Sequence, residues 1–126
     1  MHDVRAFLEL WAQTFNSHKE YLVALYADDA LLHGTSSSTL YIGVAEIRTY
    51  FQGAAIVKFD EWYCVRLVID IVMIVGKYVF SQTRDGEHVA TPARFTFVLR
   101  HQDGAWKILH HHSSVSPLAH SVAGST

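Results

Sequence analysis

The sequence predicts an α+β fold, and three observations carry that prediction. Apolar residues recur at helical spacing in the first part of the chain, they alternate with a period of two from Lys58 onward, and two Asp-Gly pairs cut that second half into hairpins. Helices grouped first and a meander of strands afterwards place the helices on one face of a curved antiparallel sheet, which encloses a cavity beneath them.

In the first segment Val4, Phe7, Leu8, Trp11, Ala12 and Phe15 fall at spacings of three and four, which predicts an amphipathic helix from Asp3 to about Asn16. KEYLVALYADDA reads as a second helical stretch, with Tyr21, Leu22, Leu25 and Tyr26 together and a halt at Asp28 and Asp29, residues that favour caps and turns. ALLHGT follows as a short strand, GTSSSTLYIG as a loop rich in hydroxyls, and GVAEIRTYFQG as a helix with Val44, Ile47 and Phe51 on one side.

Beyond Lys58, Val65, Leu67 and Ile69 alternate with Arg66, Val68 and Asp70, and a turn is expected near Asp70 because one strand from 60 to 82 would be too long. TRDGEH (83–88) and HQDGAW (101–106) centre on Asp-Gly, the pair that tolerates the positive φ of tight turns. They delimit strands at about 73–82, 89–101 and 105–114.

With 126 residues, half of them apolar, the chain is expected to form a single domain over 1–117 and a flexible tail over 118–126, where SPLAHSVAGST loses its periodicity. A net charge of only −2 and ten scattered Lys and Arg residues argue against a nucleic-acid partner. Cys64 is the only cysteine, so no internal disulfide is available, and MHDVRAFLEL lacks the basic and apolar regions of a signal peptide. A cytoplasmic location is expected. The apolar run VRLVIDIVMIVGKYVF (65–80) is broken by Asp70 and Lys77, so it reads as buried sheet and no membrane partner is expected.

HHHSSVSP (110–117) is the stretch richest in chemistry. Strict alternation puts His110 and His112 on a face with Trp106 and Ile108, and His111 on the other with Lys107, Leu109 and Ser113. A metal site needs three or four converging ligands, and no Cys, Asp or Glu follows Asp103, so neither a metal nor another cofactor is expected. No Gly-x-Ser-x-Gly elbow supports a serine nucleophile. Two readings remain: half-buried histidines bonded to neighbouring polar groups, or imidazoles lining a pocket for a small polar or anionic ligand. Arg94, in PARFTFVLR, opens an otherwise apolar strand pair and is the candidate anchor, against the alternative of a salt bridge with Glu46, Glu61 or Asp70. The aromatics Trp11, Tyr26, Trp62, Tyr78 and Phe80 read as core, some of them forming pocket wall. Arg94, His110, His112, Tyr78, Tyr26 and Trp11 are therefore the ligand-binding candidates; no catalytic residue is assigned.

Taken in order, LWAQTFNSHKEYLVALYADDALLHGTSS, the GxxEIRxYF segment from Gly43 to Phe51, GKYVF, ARFTFVLR and DGAWKILHHHSSVSP resemble the association, or hub, domain of calcium/calmodulin-dependent protein kinase II. They are still more similar to its free-standing bacterial and algal relatives in the nuclear transport factor 2-like, SnoaL-like superfamily. The resemblance spans about residues 3–117 and implies a cystatin-like cone, with a long N-terminal helix in the mouth of a curved sheet. It also implies self-association through the sheets into dimers and rings, and a pocket in which arginines take up small carboxylates. Phe80, Phe97 and Ser113 stand here where those arginines would lie, which leaves Arg94 and Arg66 as substitutes at other positions. The resemblance turns Ser113 toward the pocket, whereas alternation puts His110 and His112 on the face opposite Ser113; a bulge in the last strand would reconcile the two.

The expected function is a homo-oligomerising, hub-like module, dimer or larger ring, with a pocket for a small carboxylate or other polar molecule. The alternative is a small enzyme of the isomerase, cyclase or dehydratase type with a pocket histidine as general base and Tyr26, Tyr78 or Arg94 as oxyanion donor. Against it, Asp28 and Asp29 read as caps and Asp70, Asp85 and Asp103 as turn residues, so no acid/base pair is visible. A structural partner of other proteins, with no ligand, is the third possibility.

Overall fold

Helix α1, Val4–Ser17, forms where the apolar spacing predicts it, with Asp3 as its N-cap: the carboxylate accepts from the Ala6 amide at 3.2 Å. The structure, a computed structural model, describes residues 3–117; the expected tail, 118–126, lies outside the described residues. Val4, Phe7, Leu8, Trp11 and Phe15 make the buried stripe of α1. Asn16 ties the helix end to the sheet, because its amide oxygen accepts from the Val57 amide at 2.7 Å and its nitrogen donates to the Val57 carbonyl at 3.1 Å.

The second expected helix is shorter and tighter than its pattern suggests. Lys19–Leu25 is a 3₁₀ helix, and strand β1 already begins at Tyr26 and runs to His33. Asp28 and Asp29 are exposed residues of that strand and not helix-end caps. Tertiary pairing overrides local propensity here, since β1 lies beside the last strand of the sheet. The hydroxyl-rich loop also contains a short strand, β2, Leu40–Ile42, before helix α2, Gly43–Tyr50. Glu46 secures the start of α2 by accepting from the Ile42 amide at 2.9 Å.

Strands β3 (Ile56–Val68), β4 (Ile71–Arg84), β5 (Glu87–Gln102) and β6 (Ala105–Val115) follow as a meander. The turn expected near Asp70 joins β3 to β4, with Val68 opposite Ile71. At the two Asp-Gly turns Asp85 and Asp103 have φ of 51° and 52°, and the glycines that follow have φ of 80°.

The sheet has six strands in the order β2-β1-β6-β5-β4-β3. It is mixed and not wholly antiparallel, because β1 runs parallel to β6. A parallel neighbour needs a long crossover, and the chain between β1 and β6 supplies it by passing through the whole meander. Sheet and helices close over a core centred on Trp11, Leu22, Ile47, Ile74, Tyr78, Phe97, Leu99 and Ile108. Among the described residues no helix is long and apolar enough to cross a membrane.

Candidate functional site

The parity of β6 decides which histidine faces inward. Leu99 pairs with Ile108 while Val98 pairs with His110, so Leu109 is an extra residue and the strand carries a bulge there. Beyond it the faces exchange: Trp106 and Ile108 point inward before the bulge, His111 (2% exposed) and Ser113 (5%) after it. The expectation that His110 and His112 share the inner face with Trp106 and Ile108 is therefore corrected, and the pocket-facing Ser113 of the family resemblance is what the bulge produces.

His111 sits in a chain of hydrogen bonds whose direction can be worked out. Tyr78 donates its hydroxyl proton to Ser113 Oγ at 2.5 Å, so at 3.0 Å it accepts from the Nε2–H of His111. His111 Nδ1 then carries the lone pair and accepts from the Tyr26 hydroxyl at 2.8 Å. Tyr26 accepts in turn from the Trp11 indole N–H at 3.3 Å, and Ser113 shares a hydrogen bond with the Thr35 hydroxyl. Every member is neutral. Burial, followed by the neighbouring His110 and His112, pushes the His111 imidazole down to about 3. Burial pushes both the Tyr26 and the Tyr78 phenols up.

This relay ends at a cavity of about 290 Å³ at the open end of the cone. Trp11, Phe15, Tyr50, Phe51, Tyr78 and Phe80 give it aromatic walls. Thr35, Ser36, Ser113 and Thr91 bring hydroxyls, Gln52 and Gln82 bring amides, and Arg84 stands exposed at the rim. Among the described residues no carboxylate lines the cavity. Two loops close its side: Tyr50 donates or accepts at the Ser36 hydroxyl (3.3 Å) and accepts from the Ser36 amide (3.2 Å), while the Lys19 ammonium donates to the Ala55 carbonyl and lies 4.2 Å from the Phe15 ring centre.

Of the six residues singled out in the sequence, Trp11 and Tyr78 line this cavity and Tyr26 lies one hydrogen bond behind it. Arg94, His110 and His112 are on the opposite, outer face, Arg94 exposed and without an ion pair among the described residues. The carboxylates weighed as its partners are engaged or distant in the fold: Glu61 pairs with Lys77 at 2.9 Å and Glu46 caps α2. A shallow groove of about 500 Å³ on that face is bordered by Glu61, Tyr63, Lys77, Arg94, Thr96 and His112. Sequence reasoning missed His111, Thr35 and Arg84; only the bulge reveals the first, the pairing of β1 with β6 brings Thr35 to Ser113, and Arg84 reaches the rim at the end of β4.

The outer face is broad and largely apolar. Register places Tyr63 and Val65 of β3 beside Val75 and Met73 of β4, and these beside Thr96 and Val98 of β5. Tyr63 is 67% exposed, Val65 49% and Val75 42%; Leu31 of β1 and Ile42 of β2 extend the surface on the far side. Such a continuous apolar patch is unusual for an isolated domain.

A cone of helices against a mixed, curved sheet, with a pocket at its open end and an uncovered sheet back, defines a cystatin-like, nuclear transport factor 2-like domain. The chain belongs to the SnoaL-like domain family, whose model matches residues 4–118. No curated protein matches it. Among solved structures, a Xanthomonas campestris protein described as a calcium/calmodulin-dependent protein kinase II association domain is 28% identical, covering 92% of this chain and 87% of its own, with a TM-score of 0.85. The association domain of the Caenorhabditis elegans kinase is 16% identical, covering 89% of this chain and 92% of its own, with a TM-score of 0.76. A ketosteroid isomerase-like protein from Erwinia carotovora is 19% identical, covering 90% of this chain and 95% of its own, with a TM-score of 0.73.

Proposed function

We propose that this protein is a self-associating, hub-like module whose interior pocket takes a small polar or anionic ligand. The observation that carries the reading is the uncovered outer face of β3–β6, where Tyr63, Val65, Met73, Val75 and Val98 stand together. With β1 beside β6 continuing the face, five strands about 4.8 Å apart and some seven residues long offer roughly 500–600 Å² in plan, more once side chains are counted, close to the ~800 Å² per partner of a stable interface. A gently twisted sheet back is self-complementary about a two-fold axis, and that favours a second copy as its occupant. The likeness to association domains supports the same reading. Arg94, His110 and His112 belong to this assembly face in our account. Sedimentation of the purified protein over a range of concentrations is expected to give a dimer or a larger ring; a monomer throughout would contradict the assembly half of the proposal.

For the pocket, Trp11 and Tyr78 serve as wall, Tyr26 holds His111 from behind, and the hydroxyls of Thr35 and Ser113 offer hydrogen bonds to a ligand oxygen. Arg84 at the rim is a cation available to an anionic group. Benzoate, titrated calorimetrically, is expected to bind, and Arg84→Gln to weaken that binding at least fivefold, since hydrogen bonds to a charged group are among the stronger ones. Equal affinity in the two proteins would remove Arg84 from the site.

One observation favours a second reading, a small enzyme: a histidine and two tyrosines converge beside the cavity, and an isomerase-like protein shares the fold. The electrostatics weigh against it. A base effective near neutrality titrates near neutrality, whereas His111 is held at about 3 with both ring nitrogens engaged. His110 and His112 are on the outer face, away from the cavity.

A further inference from the structure

Three imidazoles share one small area of the outer sheet face. His33 of β1 pairs in register with His112 of β6, and His110 lies two residues back along the same strand. The ring centroids are 5.2 Å apart for His33 and His112, 6.4 Å for His33 and His110, and 6.5 Å for His110 and His112. Their neighbours are mixed: Leu31 and Val98 flank His110, Leu40 and Ile42 of β2 lie alongside β1, and Thr96 stands opposite His112. Nothing in the sequence connects His33 with the histidine triplet, since 76 residues separate them from one another and only the parallel β1–β6 pair brings them together.

The charges around this cluster are unevenly balanced. From β1, Asp29 is held by Arg100 of β5 at 3.1 Å. From β3, Glu61 is held by Lys77 of β4, with Asp60 and Lys58 further along the strand. Lys107 of β6 donates to the Ala24 carbonyl, and Arg94 of β5 has no ion pair among the described residues. Strand β2 contributes no charge. The two carboxylates on this face that have cationic partners are thus spoken for, and protons added to the imidazoles would raise a positive charge beside Arg94, Arg100 and Lys107. His110 already resists ionisation: burial, with His112 and His33 close by, holds it below the ordinary imidazole range despite a hydrogen bond to the Leu31 backbone.

We propose that this cluster is an acid-sensitive switch in the self-association interface: a second copy docks while the three rings are neutral and is released when they take up protons. The inference rests on the assembly reading above. A two-fold contact through this face returns each cluster in its partner, which doubles the charge that acidification introduces into one buried patch. Docking removes the rings from water and so favours their neutral form; affinity is therefore fully present where the rings of the free subunit are already neutral, and is lost as the pH falls through the range in which they take up protons.

Sedimentation equilibrium at pH 7.5 and pH 5.5, at constant ionic strength, tests the switch with the wild type and with a His33→Asn, His110→Asn, His112→Asn triple variant. The wild-type dissociation constant is expected to rise at least tenfold at pH 5.5, and that of the triple variant to change less than threefold. Should the triple variant fail to fold, His33→Asn and His112→Asn singly, at two exposed positions, are each expected to lessen the shift. A wild type that assembles at pH 7.5 and keeps its affinity at pH 5.5 overturns the switch and leaves the assembly reading standing. Retention of the full shift in the triple variant also overturns it, because the remaining acid-sensitive group would then lie elsewhere, His111 included. A wild type that stays monomeric at pH 7.5 overturns the assembly reading and the switch with it.

Discussion

His111 carries a large perturbation that bears on stability below neutral pH, and its sign is definite. The unfolded chain takes up its proton near pH 6.5, the folded chain only at about 3. Between those values the unfolded state binds the extra proton, so the stability contributed by the neutral, buried ring is complete above pH 6.5 and falls as the pH drops toward 3, by about 1.4 kcal/mol per pH unit. Urea titrations at pH 7 and pH 5 are expected to show this loss in the wild type and a shallower one in His111→Gln, which retains the other histidines. An equal pH slope in both proteins would show that His111 is not the buried neutral group described here. The sequence marked HHHSS as the chemically dense stretch but assigned its faces by strict alternation; a bulge of one residue at Leu109, which has no turn chemistry to announce it, reversed that assignment.

At the scale of elements, the meander was legible because its turns are chemically explicit and its strands are long. Asp85-Gly86 and Asp103-Gly104 occupy the positive-φ positions that only such pairs fill without strain. The first half of β1 was not legible, because YADDA has weak strand character and owes its conformation to β6, a partner far away in sequence, whereas ALLH at its end was expected as strand. β3 offers a further test. It bulges between Phe59 and Trp62, opposite Gly76 of β4, and a Cβ built on Gly76 would lie 2.5 Å from the Glu61 carbonyl oxygen and 2.7 Å from Trp62 Cβ. Neither atom is the free end of a flexible side chain, so Gly76→Ala is expected to destabilise the fold by about 1–3 kcal/mol through forced displacement of β3. Chemical denaturation measures it, and an unchanged midpoint would mean that β3 yields freely at this point.

For the whole molecule, the cone and its pocket follow from the order of elements, which the sequence displayed, whereas the use of its two faces follows from parity and register, which it did not. Inside, Trp11, Tyr26, His111, Tyr78 and Ser113 form a neutral relay at the end of an aromatic cavity. Outside, Tyr63, Val65, Val75 and the three-histidine cluster form an uncovered surface. The central claim is that this surface exists to meet a second copy. The most direct measurement is sedimentation velocity of the wild type beside a Val65→Asp, Val75→Asp variant, whose changes lie at exposed positions and leave the core intact. The account predicts a dimer or larger assembly for the wild type and a folded monomer for the variant, with the same near-ultraviolet circular dichroism; a variant that assembles as the wild type does would contradict it.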